Sequence, residues 1–453
     1  MAHGQKTGPR QPRWRAAPQI IGRKRAEKLA RASCYTRLSY RRTLGLLLVL
    51  ALAAPGLQAI ATGPAGAAAR GTAAPLTRQP RLAAGLSTIR WQRQVTPSPP
   101  SSFLYGVSCP TTGSCVAVGT QFVGGRVGAL VESWSNAKWD VVATPQPPGK
   151  LNANLSSVSC AALGSCVAVG VTYPSSSSSA VGLHPFSEVL HGTKWKIVPT
   201  APLSVTGAQF NGVSCWVPGS CFAVGSFTQS EQGGALAEVY QGSAWSLDKL
   251  PATGPGEGSL ASVSCLPATT PALCTAVGSL TGARAVPLVM HANGEDWQVW
   301  KVPGVPSSSS TTLSGVSCPQ PNACMAVGKT TTLSGSTSSS FSERFDQLVQ
   351  AGWSVVPTPK PSAPGAYLLS GVSCPQTDGA CEAVGFGGAA APAPLTEGWN
   401  GYHWALQSSA GAGQAVLEAV ACPYGIYPAP CTAVGFYSPN PTSAQQTLAL
   451  RLG

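Results

Sequence analysis

Val-Ser-Cys, a short turn, then Cys-x-Ala-Val-Gly recurs seven times along this chain. The copies lie at 107–119, 158–170, 213–225, 263–278, 316–328, 372–385 and 420–435, the last reading Val-Ala-Cys. A unit that returns every 48 to 56 residues decides the architecture before any other signal. Each copy offers four short β segments punctuated by Gly, Pro and Ser, in the first copy 103–109, 115–122, 129–134 and 139–143. The expectation is all-β, one small antiparallel sheet per repeat.

The second segment is the most regular. One alternating set is Cys, Ala and Gly in every copy, as in Cys115, Ala117 and Gly119. Strand side chains alternate between faces. One face is therefore always small, and something must pack close against it, most naturally a neighbouring copy. The other face holds Val and one variable residue: Val116, Val167, Phe222, Thr275, Met325, Glu382 or Thr432. A tight turn, Gly-x-x-Trp, precedes the last strand at 192–195, 242–245, 294–297 and 401–404, with looser versions before Trp139 and Trp353. A Trp repeated once per unit reads as a core anchor rather than a sugar platform.

The ends of the chain explain each other. Residues 448–453 match a third strand, so the seventh copy lacks its Trp strand. The missing piece stands at the front: Trp91-Gln-Arg-Gln-Val-Thr-Pro resembles Trp139-Asp-Val-Val-Ala-Thr-Pro. One strand from the start and three from the end complete a unit and close a ring, hiding the sheet edges. Radial repetition of four-stranded sheets is a β-propeller. The expected fold is a seven-bladed propeller of four-stranded antiparallel blades over 91–453, closed by the N-terminal strand. A right-handed solenoid is the alternative, but it needs capping repeats.

Fourteen of the 15 cysteines form the repeat pairs, and Cys34 stands apart. The pairs are Cys109 and Cys115, Cys160 and Cys166, Cys215 and Cys221, Cys265 and Cys274, Cys318 and Cys324, Cys374 and Cys381, and Cys422 and Cys431. Gaps of five, six and eight residues, without matching His, suit disulfides better than zinc pairs. Each bridge would staple a hairpin, worth about 2.4 kcal/mol in the chain-entropy model.

Net charge is +13, but residues 1–43 hold 12 Lys or Arg and one acid, Glu27, and the remainder is nearly neutral. No clustered basic run follows, which argues against a nucleic-acid partner. The basic stretch leads instead into the apolar run 44–54 and Pro55-Gly56, the layout of an export signal over 1–61. The run is short for a membrane span, so cleavage is favoured over an uncleaved anchor. Residues 62–90, rich in Ala, Gly and Pro, read as a flexible linker. A secreted, monomeric protein is expected, with no cofactor and no metal.

These motifs resemble a family of exported bacterial repeat proteins, common in actinobacteria. Its units read VSC-P-x-x-x-x-C-x-AVG, then L-x-E-x-W-x-G-x-x-W-x-V-x-x-x-P. The resemblance covers 91–453 and implies a secreted propeller, with no activity attached. The Gly-x-x-Trp turn also looks like the Asp-box hairpin of sialidase-type propellers, but it lacks the regular Ser and Asp of that box.

Binding is expected on the face that carries the variable loops 121–128, 172–182, 227–234, 280–285, 330–340, 386–394 and 437–446. Candidate contacts there are Phe122, Arg126, Tyr173, His184, Phe227, Arg284, Lys329 and Tyr437. Trp216, Tyr424 and Tyr427 break the repeat on the opposite, disulfide face, as sugar or protein contacts or as local packing. Catalytic groups are sparse. Glu132, Glu188, Glu238 and Glu397 recur seven positions before a blade Trp, which marks a strand feature such as a bond to a neighbouring blade. Glu382 breaks the repeat but has no evident partner. The reading is an extracellular binding propeller for a glycan or protein; the alternatives are a surface-assembly protein and a carbohydrate-active hydrolase or lyase.

Overall fold

The computed structural model describes residues 90–453, apart from 150, 176–181, 230–231, 254–256, 295, 304–305, 335–336, 347–349, 376–378, 390, 410–412, 426–429 and 441. The expected export signal, the linker up to 89, and Tyr427 lie outside the described residues.

Seven antiparallel sheets form a propeller ring. Blade 1 runs Ser102–Thr111, Ser114–Val123, Arg126–Ser135, Lys138–Val142 from the axis outward, and blades 2 to 6 repeat this order. Blade 7 takes Gln414–Ala421, Thr432–Ser438 and Gln446–Leu452 from the end of the chain and Arg90–Gln94 from its start. Trp91 pairs with Leu452, and Gln94 with Ala449, so the expected closure is observed. One addition was not expected. Ser408–Ser409, in the crossover out of blade 6, pairs in parallel with Arg90 and Trp91 and gives blade 7 a fifth, two-residue edge strand. All seven cysteine pairs are disulfides within blades.

The cores lie between blades. Cys115 and Ala117 pack with Val434 of blade 7, and Cys166 and Ala168 with Val116 and Val118 of blade 1. The same nesting continues to Cys431 and Ala433 against Val384. A large residue on either side would force the blades apart, which explains the small face. The glycine has a different cause from the one expected. At all seven sites, Gly119 to Gly435, an added Cβ would lie 1.9–2.0 Å from a carbonyl oxygen of the blade's own inner strand. That strand bulges at the same point in every blade, as between Leu104 and Gly106, and the bulge pushes its backbone onto the glycine. Each blade Trp is buried, as a core anchor. The Trp245 indole N–H donates to Ser187 Oγ of the preceding blade at 2.9 Å, and Trp404 to Ser342 Oγ at 3.0 Å.

The serine of Val-Ser-Cys also acts across the seam. Ser108 Oγ accepts the Cys160 amide N–H of the next blade at 3.0 Å. Ser159, Ser214, Ser264, Ser317 and Ser373 repeat this at 2.9–3.0 Å. The chain of bonds stops at Ala421, which offers no hydroxyl to Cys109 of blade 1. We expect Ala421→Ser to supply the missing bond and stabilise the ring by about 1 kcal/mol. Thermal melts check this, and a variant melting at or below the parent would overturn it. Ser214→Ala should lose a similar amount.

Candidate functional site

Two kinds of concave surface stand out. The first lies on the axis. The bulge residue of each inner strand sits two positions before the repeat valine and lines a central cup of about 320 Å³. Around the ring these residues are Tyr105, Ser156, Asn211, Ala261, Ser314, Ser370 and Glu418. The following positions are small because the strands converge: a Cβ on Gly106 would lie 2.9 Å from Ser157 Cα of the next blade. The cup runs from the bulges toward the disulfide face, reaching Cys109 and Cys422.

The wall breaks symmetry at neighbouring blades. Glu418 of blade 7 and Tyr105 of blade 1 flank the closing seam, and Ser370 of blade 6 completes the arc. Burial pushes the Glu418 carboxyl up to about 7. Ser370 Oγ is buried and has no hydrogen-bond partner. Burial also raises the Tyr105 phenol, against a hydrogen bond with Thr120, and the Glu418 charge adds to the rise. Phe103, toward the loop face, stacks on Tyr105 at 6.2 Å and meets Phe436 edge-on at 4.9 Å. Asn211 is tied up, accepting from Gln209 Nε2 at 2.9 Å and donating to Leu260 O at 2.8 Å. Glu418 escaped the sequence reading. Aligning the copies on Val-Ser-Cys isolates it, since its counterparts are small, Asn or Tyr.

The second kind lies between blades on the loop face. Leu183 to Ser187, the crossover 197–203 and Ala208 enclose about 310 Å³ between blades 2 and 3. The corresponding residues 337–341, 355–361 and Tyr367 enclose about 570 Å³ between blades 5 and 6. Both pair an apolar, proline-rich lining with hydroxyls such as Thr200 and Thr358. In blade 1 the equivalent space is filled. Gln146 Oε1 accepts the Ala129 amide N–H at 2.9 Å, while its Nε2 donates to Ala129 O at 3.0 Å. The residue at that position, seven after the blade Trp, is Pro202 in blade 2 and Lys360 in blade 5, and neither makes this plug.

Several of the expected contacts also bond within the chain. Arg126 donates to Gly149 O at 2.6 Å, and Arg284 to Pro306 O and Ser309 O at 3.2 Å, so both brace crossovers. Tyr437 is buried, donates its hydroxyl to Gln446 Oε1, and lies under the Arg93 guanidinium at 3.8 Å. Phe227 folds over Gly234 and Trp216 packs at a tilt against Phe222 with ring centroids 5.2 Å apart, each half-buried in a seam. Lys329 is half-buried opposite Thr312. Tyr173 is half-buried on blade 2, near enough to Tyr105 for the two phenols to interact. Phe122 is exposed at a strand tip. Tyr424 is exposed, and its hydroxyl reaches back to Pro319 O of blade 5 at 3.4 Å. His184 lines the cleft between blades 2 and 3.

The recurring glutamates face the preceding blade, as the repeat suggested. Thr144 Oγ1 donates to Glu188 Oε2, and the Ala201 amide donates to Glu238 Oε2 at 2.9 Å. Glu343, ten residues before its Trp, is a fifth member. Glu382 lies behind the closing strand near Gln407, whose Oε1 accepts the Trp91 indole N–H at 2.7 Å. None of these six lines the axial cup or either inter-blade cleft. Burial raises Glu132, Glu188, Glu238 and Glu343 to about 7, and Glu382 and Glu397 to about 8.

No family model matches the chain, and no curated protein matches it. Among solved structures, a protein of unknown function from Dyadobacter fermentans is 10% identical with a TM-score of 0.46, over 65% of this chain and 93% of its own. A lectin from Aleuria aurantia, in complex with Fucalpha1-6GlcNAc, is 10% identical with a TM-score of 0.41, over 79% and 96%. A xyloglucanase from Xanthomonas campestris is 13% identical with a TM-score of 0.48, over 79% of this chain and 55% of its own. Likeness at this level does not extend to a ligand.

The buried carboxyls make stability depend on pH. Their pKa values are higher folded than unfolded, so the native state holds more protons between about 4.5 and 8. Stability should be greatest below that window and fall as pH rises through it. His291, shifted down by burial, works the other way, but it is one group against seven. Melting temperature between pH 5 and 9 checks this, and a rising curve would contradict it. Glu343→Gln, which removes the charge and keeps the shape, should stabilise by about 3 kcal/mol at pH 8 and by less than about 1 kcal/mol at pH 5.

Proposed function

We propose that this chain is an exported binding propeller and that its ligand is a glycan, held in the inter-blade clefts of the loop face. The observation that carries the reading is the duplication. The same three segments open corresponding clefts in two blades, with similar walls and no acid pair. Chemistry needs one site with convergent general acid and base groups. Repeated modest sites suit multivalent capture. Proline and valine surface accepts the apolar face of a sugar ring, while Thr, His184 and Lys360 supply hydrogen bonds to hydroxyls.

Export is supported by seven disulfides, which persist in oxidising compartments, and by the leader ahead of the ring. No helix among the described residues is long and apolar enough to cross a membrane. The export and repeat motifs fit the bacterial family that the repeats resemble.

A glycan array probed with the purified, oxidised protein tests the ligand. We expect reproducible, sugar-competable signals. His184→Ala combined with Lys360→Ala should weaken them at least tenfold through lost avidity. A blank array with folded protein would remove the glycan reading and leave a protein ligand or surface assembly as the better account.

A further inference from the structure

We propose that the axial cup is a second binding site, separate from the clefts, for a small hydroxylated primary amine whose ammonium pairs with the Glu418 carboxylate. Three observations converge on this chemistry. The first is charge. Among the residues lining the cup, Glu418 is the single acid, and no Lys, Arg or His accompanies it. The only other titratable side chain in the lining is Tyr105; Cys109 and Cys422 are held in disulfides. Tyr173 stands behind Tyr105. A carboxylate withdrawn from water with no cationic neighbour gains most from a cation.

The second is unfilled hydrogen-bonding capacity. Ser370 Oγ is buried beside Glu418 with no partner. Buried hydroxyls without partners are costly, and rotation of this side chain about χ1 would be needed to bring it within reach of a ligand hydroxyl in the cup. Ser156 and Ser314 extend the hydroxyl wall around the ring. The Tyr105 ring adds an aromatic surface next to the charge, suited to an ammonium.

The third is size. About 320 Å³ suits a molecule the size of one monosaccharide. A divalent metal ion fits poorly, because it needs several anionic oxygens, and the described residues hold no cluster of three His, Cys, Asp or Glu. An anionic ligand would meet a like charge.

This site also accounts for the break in symmetry. Six bulge positions tolerate small or neutral residues, whereas a carboxyl costs desolvation wherever it is placed there. The molecule bears that cost once, beside the one aromatic bulge residue and the unpaired serine hydroxyl.

The test is calorimetric titration of the oxidised full chain with 6-amino-6-deoxyglucose, whose alkylamine stays charged, and with glucose as the neutral counterpart. We expect the amine to bind at least tenfold more tightly than glucose. Its affinity should rise about tenfold from pH 6 to pH 8, as the Glu418 carboxyl, at about 7, loses its proton. Glu418→Gln should abolish both the preference and the pH dependence. Tyr105→Phe keeps the ring and should cost no more than about fivefold, which separates loss of the site from loss of fold. Absence of amine binding at millimolar concentration at pH 8 overturns the proposal, as does equal binding by Glu418→Gln. Array signals that survive Glu418→Gln, or amine binding that survives the His184 and Lys360 substitutions, assign each site its own outcome.

Discussion

The seam between blades, where the alanine of one second strand nests against the valines of the strand before it, is the contact on which the rest of the molecule depends. Each blade alone is a small sheet with both faces apolar, and such a sheet has no stable surface to present to water. Stacking removes both faces at once, but only if every member keeps one face small. Cys115, Ala117 and their counterparts meet that condition seven times. The disulfides sit at the same edge and hold the hairpin that presents the small face.

Polar groups in the seam follow from the same packing. The Val-Ser-Cys hydroxyls, the Trp indoles and the recurring glutamates all reach toward an adjacent blade. They fix the angle between sheets that apolar contact alone would leave adjustable. The glutamates do so at a cost, since burial raises their pKa and most of their oxygens lack a partner. Blade 4 replaces the glutamate with Met290 and blade 7 with Leu450, each opposite the repeat alanine. The ring therefore tolerates the purely apolar solution, and the carboxyls set geometry more than they add stability.

The fold was legible in the sequence because the repeat encodes it. The Cys-x-Ala-Val-Gly alternation, the seven cysteine pairs and the matching ends at Trp91 and Leu448 named the blades, the bridges and the closure. The reason for the glycine was not legible, because the bulge that demands it lies in another strand. The same bulge hid the axial site. It shifts the inner strand by one residue, so a simple alternation from Leu104 to Val107 does not show that Tyr105 faces the axis. The intramolecular partners of Arg126, Arg284 and Tyr437 were hidden for a related reason. Crossover carbonyls, Gln446 and Arg93 meet them from segments that the repeat does not align.

A closed ring of near-identical units can acquire specificity only by departing from its own pattern. Some departures serve the ring itself: Glu382 with Gln407 and Trp91 fits the blade assembled from both ends of the chain, and Gln146 fills a space left open elsewhere. Others leave capacity unused. Glu418 and the unpaired Ser370 hydroxyl share the cup with Tyr105 on three successive blades, and Pro202 and Lys360 leave clefts that Gln146 shows can be filled from within. Substitutions that the scaffold does not need, and that leave cavities or unpaired polar atoms behind, are where this molecule has capacity to bind.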